Sequence, residues 1–371
     1  MKIAIQVSDL DQSRIDGTRV YIRELVNRLG GLAPECFFEL YHQKDFHPDL
    51  QPKIFPNYQE KTIAFPWAWM QTRFAWDIFW EAPDKLFLPI QAAPFFLARK
   101  QEVIATVHDL AWKRFPETFS WSDRMRLDIH LAHVVRRADK LVAVSESTKK
   151  DLLEYFPALS PEKIRVIYHG FDGAFYEERV REEEQVETLS QYGLIGSEYV
   201  LYVGALQPRK NIVRLVEAFE ILKKQSPEAK LVLAGEVAWL AQDILEAQEK
   251  SMYRDDIFLL GKVSFETLRA LYQGARLVAF PSLYEGFGLP ILEAFASRVA
   301  LLTADNSSLR EVAGEGALYC NGEDVLDIAL KLRELWQNQA LREELILKGE
   351  EELKRFSWEK CAKETLDFIL K

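Results

Sequence analysis

Two glutamates beside a glycine turn are the residues of this sequence whose types and spacing best suit chemistry. Glu285 lies on the turn, and Glu293 follows eight residues later. Carboxylates accept hydrogen bonds from pairs of hydroxyl groups, so the two side chains suit a ligand that carries sugar hydroxyls. An isolated pair at this spacing is more often a solvated turn residue and a charge near a helix N-terminus. The residues around the pair favour the binding site.

The elements that must position these carboxylates are a strand, a turn and a helix. Leu277 to Phe280 are four apolar residues that predict a short buried strand. Gly286 and Gly288 follow, where the missing Cβ permits unusual backbone angles and close approach of a ligand. An apolar helix is predicted to begin at about Leu289 or Pro290. Its free amide groups and positive dipole end favour an anion such as phosphate in the turn.

A phosphate site with a carboxylate on either side suits a diphosphate with sugars at both ends, which is a nucleotide sugar. The segment Pro-Ser-Leu-Tyr-Glu-Gly-Phe-Gly-Leu-Pro-Ile-Leu-Glu-Ala resembles the donor-site signature of retaining GT-B glycosyltransferases, specifically glycosyltransferase family 4. The similarity extends over nearly the whole chain. It implies an α/β protein of GT-B fold, with two Rossmann-like domains whose parallel sheets face each other across a cleft.

The length and the order of elements agree with two domains. The chain has 371 residues, and strand-like and helical segments alternate through both halves, as in parallel sheets with covered faces. We expect an acceptor-side domain over residues 1–175 and a donor domain over 176–356. The Glu-rich run 177–187 is the predicted linker. The resemblance implies that a last helix, within 357–371, crosses back to the N-terminal domain.

The resemblance assigns the donor contacts in the second half residue by residue. Arg209 and Lys210, in a strand-to-helix loop, are expected to hold the diphosphate, since charge-assisted hydrogen bonds stabilise a leaving group that gains negative charge. Glu293 is expected to bind the ribose hydroxyls and Glu285 the 3- or 4-hydroxyl of the sugar. The neighbouring amides expected to contribute are those of Phe287, Gly288 and Leu289.

Further positions are assigned outside this signature. His108 follows the predicted strand Val103 to Val107, and a residue just past a parallel strand stands where open α/β sheets bind ligands. The resemblance implies that His108 touches the transferred sugar. It also implies that Gly17, in the first loop, lies near the donor phosphate and that Lys262 and Val263 contact the base. We therefore expect His108, Arg209, Lys210 and Glu285 to carry the catalysis.

Charge and cysteine content exclude several other classes of protein. The net charge of −10 provides no basic field for nucleic acid. Cys36, Cys320 and Cys361 are odd in number and far apart, so they indicate neither a disulfide framework nor a metal site. The sequence has no Gly-x-Gly-x-x-Gly near the first strand and no Gly-x4-Gly-Lys-Ser/Thr. The strand-like start Met-Lys-Ile-Ala-Ile-Gln-Val predicts no signal peptide and a cytoplasmic protein.

The most aromatic stretch, from Trp67 to Trp80, has three alternative interpretations. Trp69, Arg73, Trp76 and Trp80 recur at helical spacing, which is most often typical of a core. Aromatic side chains also stack on sugar rings and settle at lipid interfaces, so an acceptor site or a peripheral contact with the inner membrane remains open. The separate triplet Asp9-Leu-Asp is interpreted as a polar loop, not as a metal motif.

The predicted activity is metal-independent transfer of a hexosyl residue, with retention, from a nucleotide sugar to a saccharide or lipid-linked saccharide. No cofactor is expected. The strings Thr-Val-His-Asp-Leu and Phe-Pro-Glu-Thr-Phe resemble bacterial mannosyltransferases of the family, so GDP-mannose is the first choice of donor. UDP-glucose and UDP-N-acetylglucosamine are alternatives. A sugar-nucleotide epimerase, a phosphorylase and a non-catalytic carbohydrate-binding relic remain as other classes, and the acceptor, linkage and oligomeric state stay open.

Overall fold

A computed structural model describes residues 1–97, 101–238 and 240–371. The chain forms two compact units. The first consists of Met1–Leu110, Trp121–Gly170 and Phe356–Lys371, and the second of Ala111–Ser120 and Phe171–Arg355. Each unit is built on one parallel sheet. Among the described residues, no helix combines the length and apolar character needed to cross a membrane.

Seven parallel strands form the sheet of the first unit. They are β1 (Lys2–Gln6), β2 (Phe37–His42), β3 (Tyr58–Thr62), β4 (Lys85–Leu88), β5 (Glu102–Val107), β6 (Lys140–Ala143) and β7 (Ile164–Val166). Their order across the sheet is β3-β2-β1-β4-β5-β6-β7. The central strands are buried along nearly their whole length, as expected when helices cover both faces of a parallel sheet.

Three of the five main helices of the first unit begin at side chains that cap them. The five helices are Gly17–Leu32, Arg73–Glu81, Trp121–Arg137, Glu146–Tyr155 and Trp358–Leu370. Asp16, Ser145 and Ser357 each accept a hydrogen bond from a backbone amide of the first helical turn. Such caps satisfy amide groups that have no partner inside the helix.

The helix Trp358–Leu370 packs against the first helix of the same unit, Gly17–Leu32. Arg28 connects the two helices, since its guanidinium lies 2.8 Å from the Glu359 carboxylate and 2.5 Å from that of Glu24. The start of the last helix also lies close to Gly170, where a Cβ would stand 2.0 Å from the Trp358 nitrogen. The C-terminal segment is therefore part of the first unit, although the second unit precedes it in sequence.

Six parallel strands form the sheet of the second unit. They are β8 (Tyr199–Val203), β9 (Lys230–Ala234), β10 (Ile257–Gly261), β11 (Leu277–Phe280), β12 (Leu301–Ala304) and β13 (Ala317–Cys320), in the order β10-β9-β8-β11-β12-β13. The α-helices of this unit are Ala111–Arg114, Gly173–Glu177, Glu182–Ser190, Ile212–Lys223, Gln242–Lys250, Phe265–Gly274, Leu289–Ala296, Leu309–Ala313, Val325–Gln337 and Gln339–Leu353.

The predicted strand Leu277 to Phe280 and the helix beginning at Leu289 are confirmed. One local prediction is wrong. The Glu-rich run 177–187, expected to be a linker, overlaps the helix Glu182–Ser190, whose Leu189 is buried in the second unit.

Two glycines, Gly204 and Gly235, allow the ends of β8 and β9 to approach each other. Gly235 has φ +151°, and a Cβ there would lie 2.0 Å from the carbonyl oxygen of Gly204. We expect Gly235→Ala to lower the free energy of unfolding by more than about 2 kcal/mol, because it adds both backbone strain and a clash with main-chain atoms. Urea unfolding followed by circular dichroism measures this loss.

Gly193→Ala is the matched control for that variant. Gly193 also has a left-handed backbone, with φ +67°, but no atom lies within 4 Å of its ideal Cβ position. Its substitution should cost only the left-handed strain of alanine, about 1 kcal/mol. If both variants lose the same free energy of unfolding, the close approach of β8 and β9 has no effect on the cost of Gly235→Ala.

Candidate functional site

Arg209, Lys210 and Glu285 form one charged cluster in the second unit. Lys210 Nζ lies 2.5 Å from Glu285 Oε1, and Arg209 Nη1 lies 3.0 Å from Glu285 Oε2. Arg209 Nη1 also donates to the carbonyl oxygen of Tyr284 at 2.9 Å. All three charged side chains are at most 14% exposed. The structure thus brings together three of the residues that the sequence selected.

The Glu285 carboxylate is ionised in this cluster although it is buried. Burial alone would raise its pKa, but the charges of Lys210 and Arg209 and the hydrogen bond from Lys210 outweigh that effect and lower the pKa to about 2. Two cations meet this one carboxylate, and their ammonium and guanidinium groups carry enough hydrogen-bond donors to hold an anionic ligand as well.

Asn211 connects the loop that carries Arg209 and Lys210, which we call the cation loop, to the glycine turn of Gly286 and Gly288. Its amide nitrogen donates to the carbonyl oxygens of Pro281, at 2.9 Å, and Gly322, at 2.6 Å. The backbone of Asn211 is left-handed, with φ 63°, a conformation that asparagine tolerates better than most residues. The amide of Leu283 donates to the carbonyl oxygen of Arg209 at 2.9 Å. These bonds fix the relative positions of loops that are about 70 residues apart in sequence.

The segment Asn306–Ser308 holds the turn from its other side, and sequence reasoning assigned it no role. Ser308 is fully buried, and its hydroxyl donates to the carbonyl oxygens of Glu285 and Phe287 at 2.9 and 2.8 Å. Ser307 Oγ accepts from the amide of Glu285 at 3.1 Å. The turn is therefore held by side chains from two other loops, in agreement with a preformed site.

Gly288 has the backbone conformation that the sequence predicted for the turn. Its φ is +110°, and it directly precedes the helix Leu289–Ala296. A Cβ at this position would lie 3.1 Å from the Ile291 side chain and 3.3 Å from that of Leu309. Leu289, the first helical residue, and Phe287 flank Gly288, so their amides lie at the N-terminal end of this helix, where the helix dipole is positive.

Glu293 lies on the same helix and has tyrosine partners. Tyr272 donates its hydroxyl hydrogen to Glu293 Oε2 at 2.8 Å. The ring of Tyr176 packs edge to face on that of Tyr272, with centroids 6.0 Å apart. Burial raises the pKa of Glu293, while the two tyrosine hydroxyls act in the opposite direction. The sequence motif selected Glu293. No local pattern pointed to either tyrosine, because both belong to helices that are distant from Glu293 in sequence.

Lys262 and Val263 directly follow β10, whose last residue, Gly261, has φ +67°. Strand β9 separates β10 from β8, so the two residues lie two strands away from the cation loop along the same edge of the sheet. Their predicted contact with a base would therefore fall beside the cluster, not within it. Their role stays a prediction.

His108 lies in the first unit, at the carboxyl end of β5. Its Nε2–H donates to the carbonyl oxygen of Pro89 at 2.9 Å, and its amide donates to Gln91 Oε1 at 3.0 Å. Its ring contacts Tyr21 edge to face at 5.2 Å. Burial lowers the pKa of His108, so the neutral imidazole is favoured, with the hydrogen on Nε2. These contacts fix the ring, and its contact with a sugar stays a prediction.

The first loop prepares the start of the first helix. Gly17 is the first residue of that helix, and Asp16 caps it by accepting from the Arg19 amide at 3.2 Å. In the preceding one-turn 3-10 helix, Ser8–Asp11, the Asp11 carboxylate accepts from the amides of Gln43 and Lys44. Asp11 therefore has a structural role, connecting this loop to the end of β2.

The aromatic stretch divides into a buried and an exposed part. Trp69 is buried, and Phe74 and Ile78 are fully buried. Trp76 and Trp80, however, are 57% and 66% exposed. Of the three interpretations, the core does not apply to these two tryptophans, because the helix Arg73–Glu81 turns its Phe74 and Ile78 side inward. We call the exposed residues Trp76, Phe79 and Trp80 the aromatic face; their rings contact one another edge to face.

Comparison with known families gives two matches that together span most of the chain. The profile described as Glycosyl transferases group 1 matches residues 184–352, and that described as Glycosyltransferase Family 4 matches residues 15–175. The O-antigen chain mannosyltransferase B of Escherichia coli is 30% identical over 74% of this chain and 71% of that protein. The O-antigen chain mannosyltransferase RfbU of Salmonella typhimurium is 28% identical over 62% of this chain and 58% of its own length.

A solved structure has the same fold. Anabaena HepE, determined in complex with UDP and glucose, superposes with a TM-score of 0.77 at 18% identity, covering 100% of this chain and 99% of that chain. With its two parallel-sheet units and these relatives, the chain belongs to glycosyltransferase family 4, has the GT-B fold and is close to mannosyltransferases within that family.

Proposed function

We propose that this protein transfers a hexosyl residue from a nucleotide sugar to a saccharide or lipid-linked saccharide, with retention of anomeric configuration. The observation that carries the proposal is the buried cluster of Arg209, Lys210 and Glu285 beside the N-terminus of the helix Leu289–Ala296. Donor binding is assigned to the domain of residues 176–356 and acceptor binding to residues 1–175. The segment 357–371 completes the acceptor-side domain.

The donor would occupy the glycine turn. Lys210 and Arg209 would bind the diphosphate, while Glu293 would accept hydrogen bonds from the ribose hydroxyls. The amides of Phe287, Gly288 and Leu289 would assist at the helix N-terminus. Lys262 and Val263 would contact the base through the main chain.

Glu285 would exchange part of its cation contacts for a hydroxyl of the transferred sugar. Its carboxylate contacts Lys210 at 2.5 Å and Arg209 at 3.0 Å. Ammonium and guanidinium groups carry three and five hydrogen-bond donors, so both cations are able to hold a carboxylate and a diphosphate together. Glu285 would thereby orient the cations before the donor arrives. This preorganisation reduces the rearrangement needed during the reaction.

His108 would lie against the sugar near the anomeric carbon, with Gly17 near the phosphate. The neutral ring donates Nε2–H to Pro89, which leaves Nδ1 as an acceptor. Such a group is able to accept a hydrogen bond from a sugar hydroxyl without adding charge. Because the orientation of the His108 ring is fixed, it would accept this bond only from a hydroxyl at one position of the sugar.

The reaction would break the bond between the anomeric carbon and the diphosphate oxygen and form one to an acceptor oxygen on the same face. The bonding electrons leave with the nucleoside diphosphate. The acceptor proton passes to a departing phosphate oxygen, so atoms and charge balance. Lys210 and Arg209 would stabilise the negative charge that develops there. We propose that these cations and the helix dipole make the reaction independent of a metal ion.

GDP-mannose is the proposed donor. Two relatives that share 30% and 28% identity with this chain are named as mannosyltransferases, which supports mannose. UDP-glucose and UDP-N-acetylglucosamine are the alternatives, and a structural neighbour crystallised with UDP and glucose favours the former. The free, buried cysteines Cys36, Cys320 and Cys361 are in keeping with a reducing cytoplasm as the proposed location.

A thermal-shift panel tests the proposed donor. The unfolding midpoint is measured with GDP, UDP, ADP, GDP-mannose and UDP-glucose, each in the presence of EDTA. We expect GDP and GDP-mannose to raise it, because a ligand at 100 times its dissociation constant adds about 2.7 kcal/mol of stability. Selective stabilisation by UDP compounds would replace the proposed donor with the alternative.

Mass spectrometry and NMR of the product complete this test. Incubation of GDP-mannose with a mannose-containing oligosaccharide should add one hexose in the α-configuration. A change in the donor without an acceptor would favour an epimerase. Stabilisation only after magnesium is added would contradict the proposed metal independence.

The aromatic face supports a peripheral contact with the cytoplasmic face of a membrane. Trp76, Phe79 and Trp80 are more than half exposed on one helix of the first unit. Indole rings present an apolar body and a polar N–H, and they settle at the boundary between lipid chains and head groups. A lipid-linked acceptor at that boundary would give the exposed rings a function.

Co-sedimentation with vesicles of phosphatidylethanolamine and phosphatidylglycerol measures this contact. We expect Trp76→Ser/Trp80→Ser to reduce the bound fraction at least about fivefold, since each exposed tryptophan contributes apolar area at the interface. The matched control is Trp67→Ser, which removes a tryptophan that is 73% exposed but outside this helix. Unchanged binding by the double variant would contradict the membrane contact.

A further inference from the structure

Two tyrosines from separate helices converge on the carboxylate of Glu293. Tyr272, on the helix Phe265–Gly274, donates to Glu293 Oε2 at 2.8 Å. Tyr176, on the short helix Gly173–Glu177, packs against Tyr272, and its hydroxyl acts to lower the pKa of the same carboxylate. Tyr272 is fully buried and Tyr176 is 5% exposed. The two rings meet edge to face, with centroids 6.0 Å apart.

The backbone around Tyr176 is itself fixed to the helix that carries Tyr272. Gln273 donates its amide hydrogen to the carbonyl oxygen of Tyr176 at 3.2 Å, and Arg269 donates to that of Phe175, also at 3.2 Å. The Arg269 guanidinium further pairs with Glu178 at 2.6 Å. The position of Tyr176 therefore depends on the same helix as Tyr272. Both hydroxyls approach Glu293 from a rigid support.

We propose that Tyr176 and Tyr272 are positioning residues that orient the Glu293 carboxylate for recognition of both hydroxyls of a ribose. The inference rests on the proposed function, in which Glu293 binds the ribose of the donor. A carboxylate has about four acceptor positions, so the bond from Tyr272 and the neighbouring Tyr176 hydroxyl leave capacity for a vicinal diol. The consequence is selectivity for ribonucleoside diphosphates over their deoxy analogues.

The tyrosine hydroxyls also favour the ionised form of the Glu293 carboxylate. Burial raises the pKa of Glu293. The hydroxyl groups of Tyr272 and Tyr176 act in the opposite direction and lower it. The pKa values of both tyrosines lie well above their usual range, because the rings are buried beside Glu293, so both hydroxyls remain donors. Removal of one hydroxyl should raise the pKa of Glu293 further. Affinity that requires the carboxylate would then be lost at a higher pH.

Isothermal titration with GDP and 2′-deoxy-GDP, and with UDP and 2′-deoxy-UDP, tests the inference between pH 5 and pH 8.5. Wild type should prefer the ribose form by about tenfold or more, since a hydrogen bond to a charged group is worth about 1.5 to 3 kcal/mol. Tyr272→Phe and Tyr176→Phe should each reduce this preference at least about threefold. In both variants, the pH at which affinity falls should move upward.

Tyr199→Phe is the matched control. Tyr199 is fully buried in the same unit, but its hydroxyl donates to the carbonyl oxygen of Leu271 at 2.7 Å. This variant should lose stability as the other two do, without any change in ribose preference or in the pH profile. A purely structural role of Tyr176 and Tyr272 predicts the same result for all three variants, and that result would overturn the inference.

Glu293→Gln separates failure of the inference from failure of the proposed function. If wild type binds no nucleotide, or binds ribose and deoxyribose forms equally, then the assigned role of Glu293 is wrong and the inference falls with it. If Glu293→Gln loses the preference while both tyrosine variants retain it and the wild-type pH profile, only the positioning role is wrong. Either tyrosine variant alone is sufficient for this comparison.

Discussion

Lys210→Ala should lower kcat for hexosyl transfer by about 10²- to 10³-fold, the usual effect of removing one preorganised group that stabilises charge developing in a transition state. Lys210 Nζ is 2.5 Å from Glu285, in a cluster that is largely shielded from water. The electrostatic effect of a cation is larger in such a place than in solvent. The same variant should lose most of the thermal stabilisation by GDP, because the diphosphate loses its partner.

Steady-state kinetics with GDP-mannose at several concentrations measure this effect. Lys210→Arg should recover only part of kcat, because the planar guanidinium places its donors differently from an ammonium group. Arg209→Ala should also lower kcat, but Lys210 would still hold the Glu285 carboxylate in that variant. A loss confined to KM would mean that Lys210 binds ground state and transition state equally.

Lys223→Ala is the matched control for Lys210→Ala. Lys223 is a buried lysine of the same unit, but its ammonium group donates to the carbonyl oxygens of Pro227 and Ala229 and pairs with Asp256. Its loss should reduce stability and leave kcat of the folded enzyme near the wild-type value. Similar losses of kcat in both variants would point to a general effect of losing a buried lysine, and the assigned role of Lys210 would be wrong.

Glu285 should contribute about 3 kcal/mol to the free energy of unfolding at neutral pH, and this contribution should disappear in acid. Its pKa is about 2 in the folded protein and 4.5 in an unperturbed glutamate, and each unit of difference is worth 1.36 kcal/mol. Because the folded value is the lower one, the contribution is complete above about pH 4.5. It is lost as the pH falls from there towards about 2.

Comparison of wild type with Glu285→Gln isolates this contribution, because the other carboxylates are common to both proteins. Urea unfolding should show a large loss of stability in the variant at pH 7, where Lys210 and Arg209 are left without their carboxylate. The difference between the two proteins should shrink by about 2 kcal/mol at pH 3. Glu246→Gln, which changes a fully exposed carboxylate paired with Lys250, should show no comparable pH dependence. A difference independent of pH for Glu285→Gln would contradict the paired, low-pKa carboxylate.

The sequence alone was sufficient to predict the two parallel sheets, the strand Leu277–Phe280, the helix start at Leu289 and the unusual backbone of Gly288. These features depend on local physics. Apolar runs mark buried strands, and glycine and proline restrict or release the backbone at fixed positions. The motif resemblance also selected Arg209, Lys210 and Glu285, although it gave no information on their contacts with one another.

The aromatic stretch shows where the sequence was insufficient. Helical spacing identifies which residues share a side of the helix Arg73–Glu81, but two neighbouring stripes are both apolar. Burial of Phe74 and Ile78 leaves Trp76 and Trp80 exposed, and the surrounding sheet decides between the two orientations. The hydrophobic pattern alone therefore could not place the tryptophans.

The contacts of the site were decided only by the tertiary structure. Asn211, Ser308 and Tyr272 are polar residues without a distinctive local pattern, yet they hold the glycine turn and Glu293. In each of these bonds the two residues are 21 or more positions apart in sequence. By itself, the sequence determined the strands, turns and charged groups, because these follow from local backbone preferences and burial. The fold decided which groups meet, because hydrogen bonds and ion pairs between distant segments depend on how the strands are ordered in the sheet.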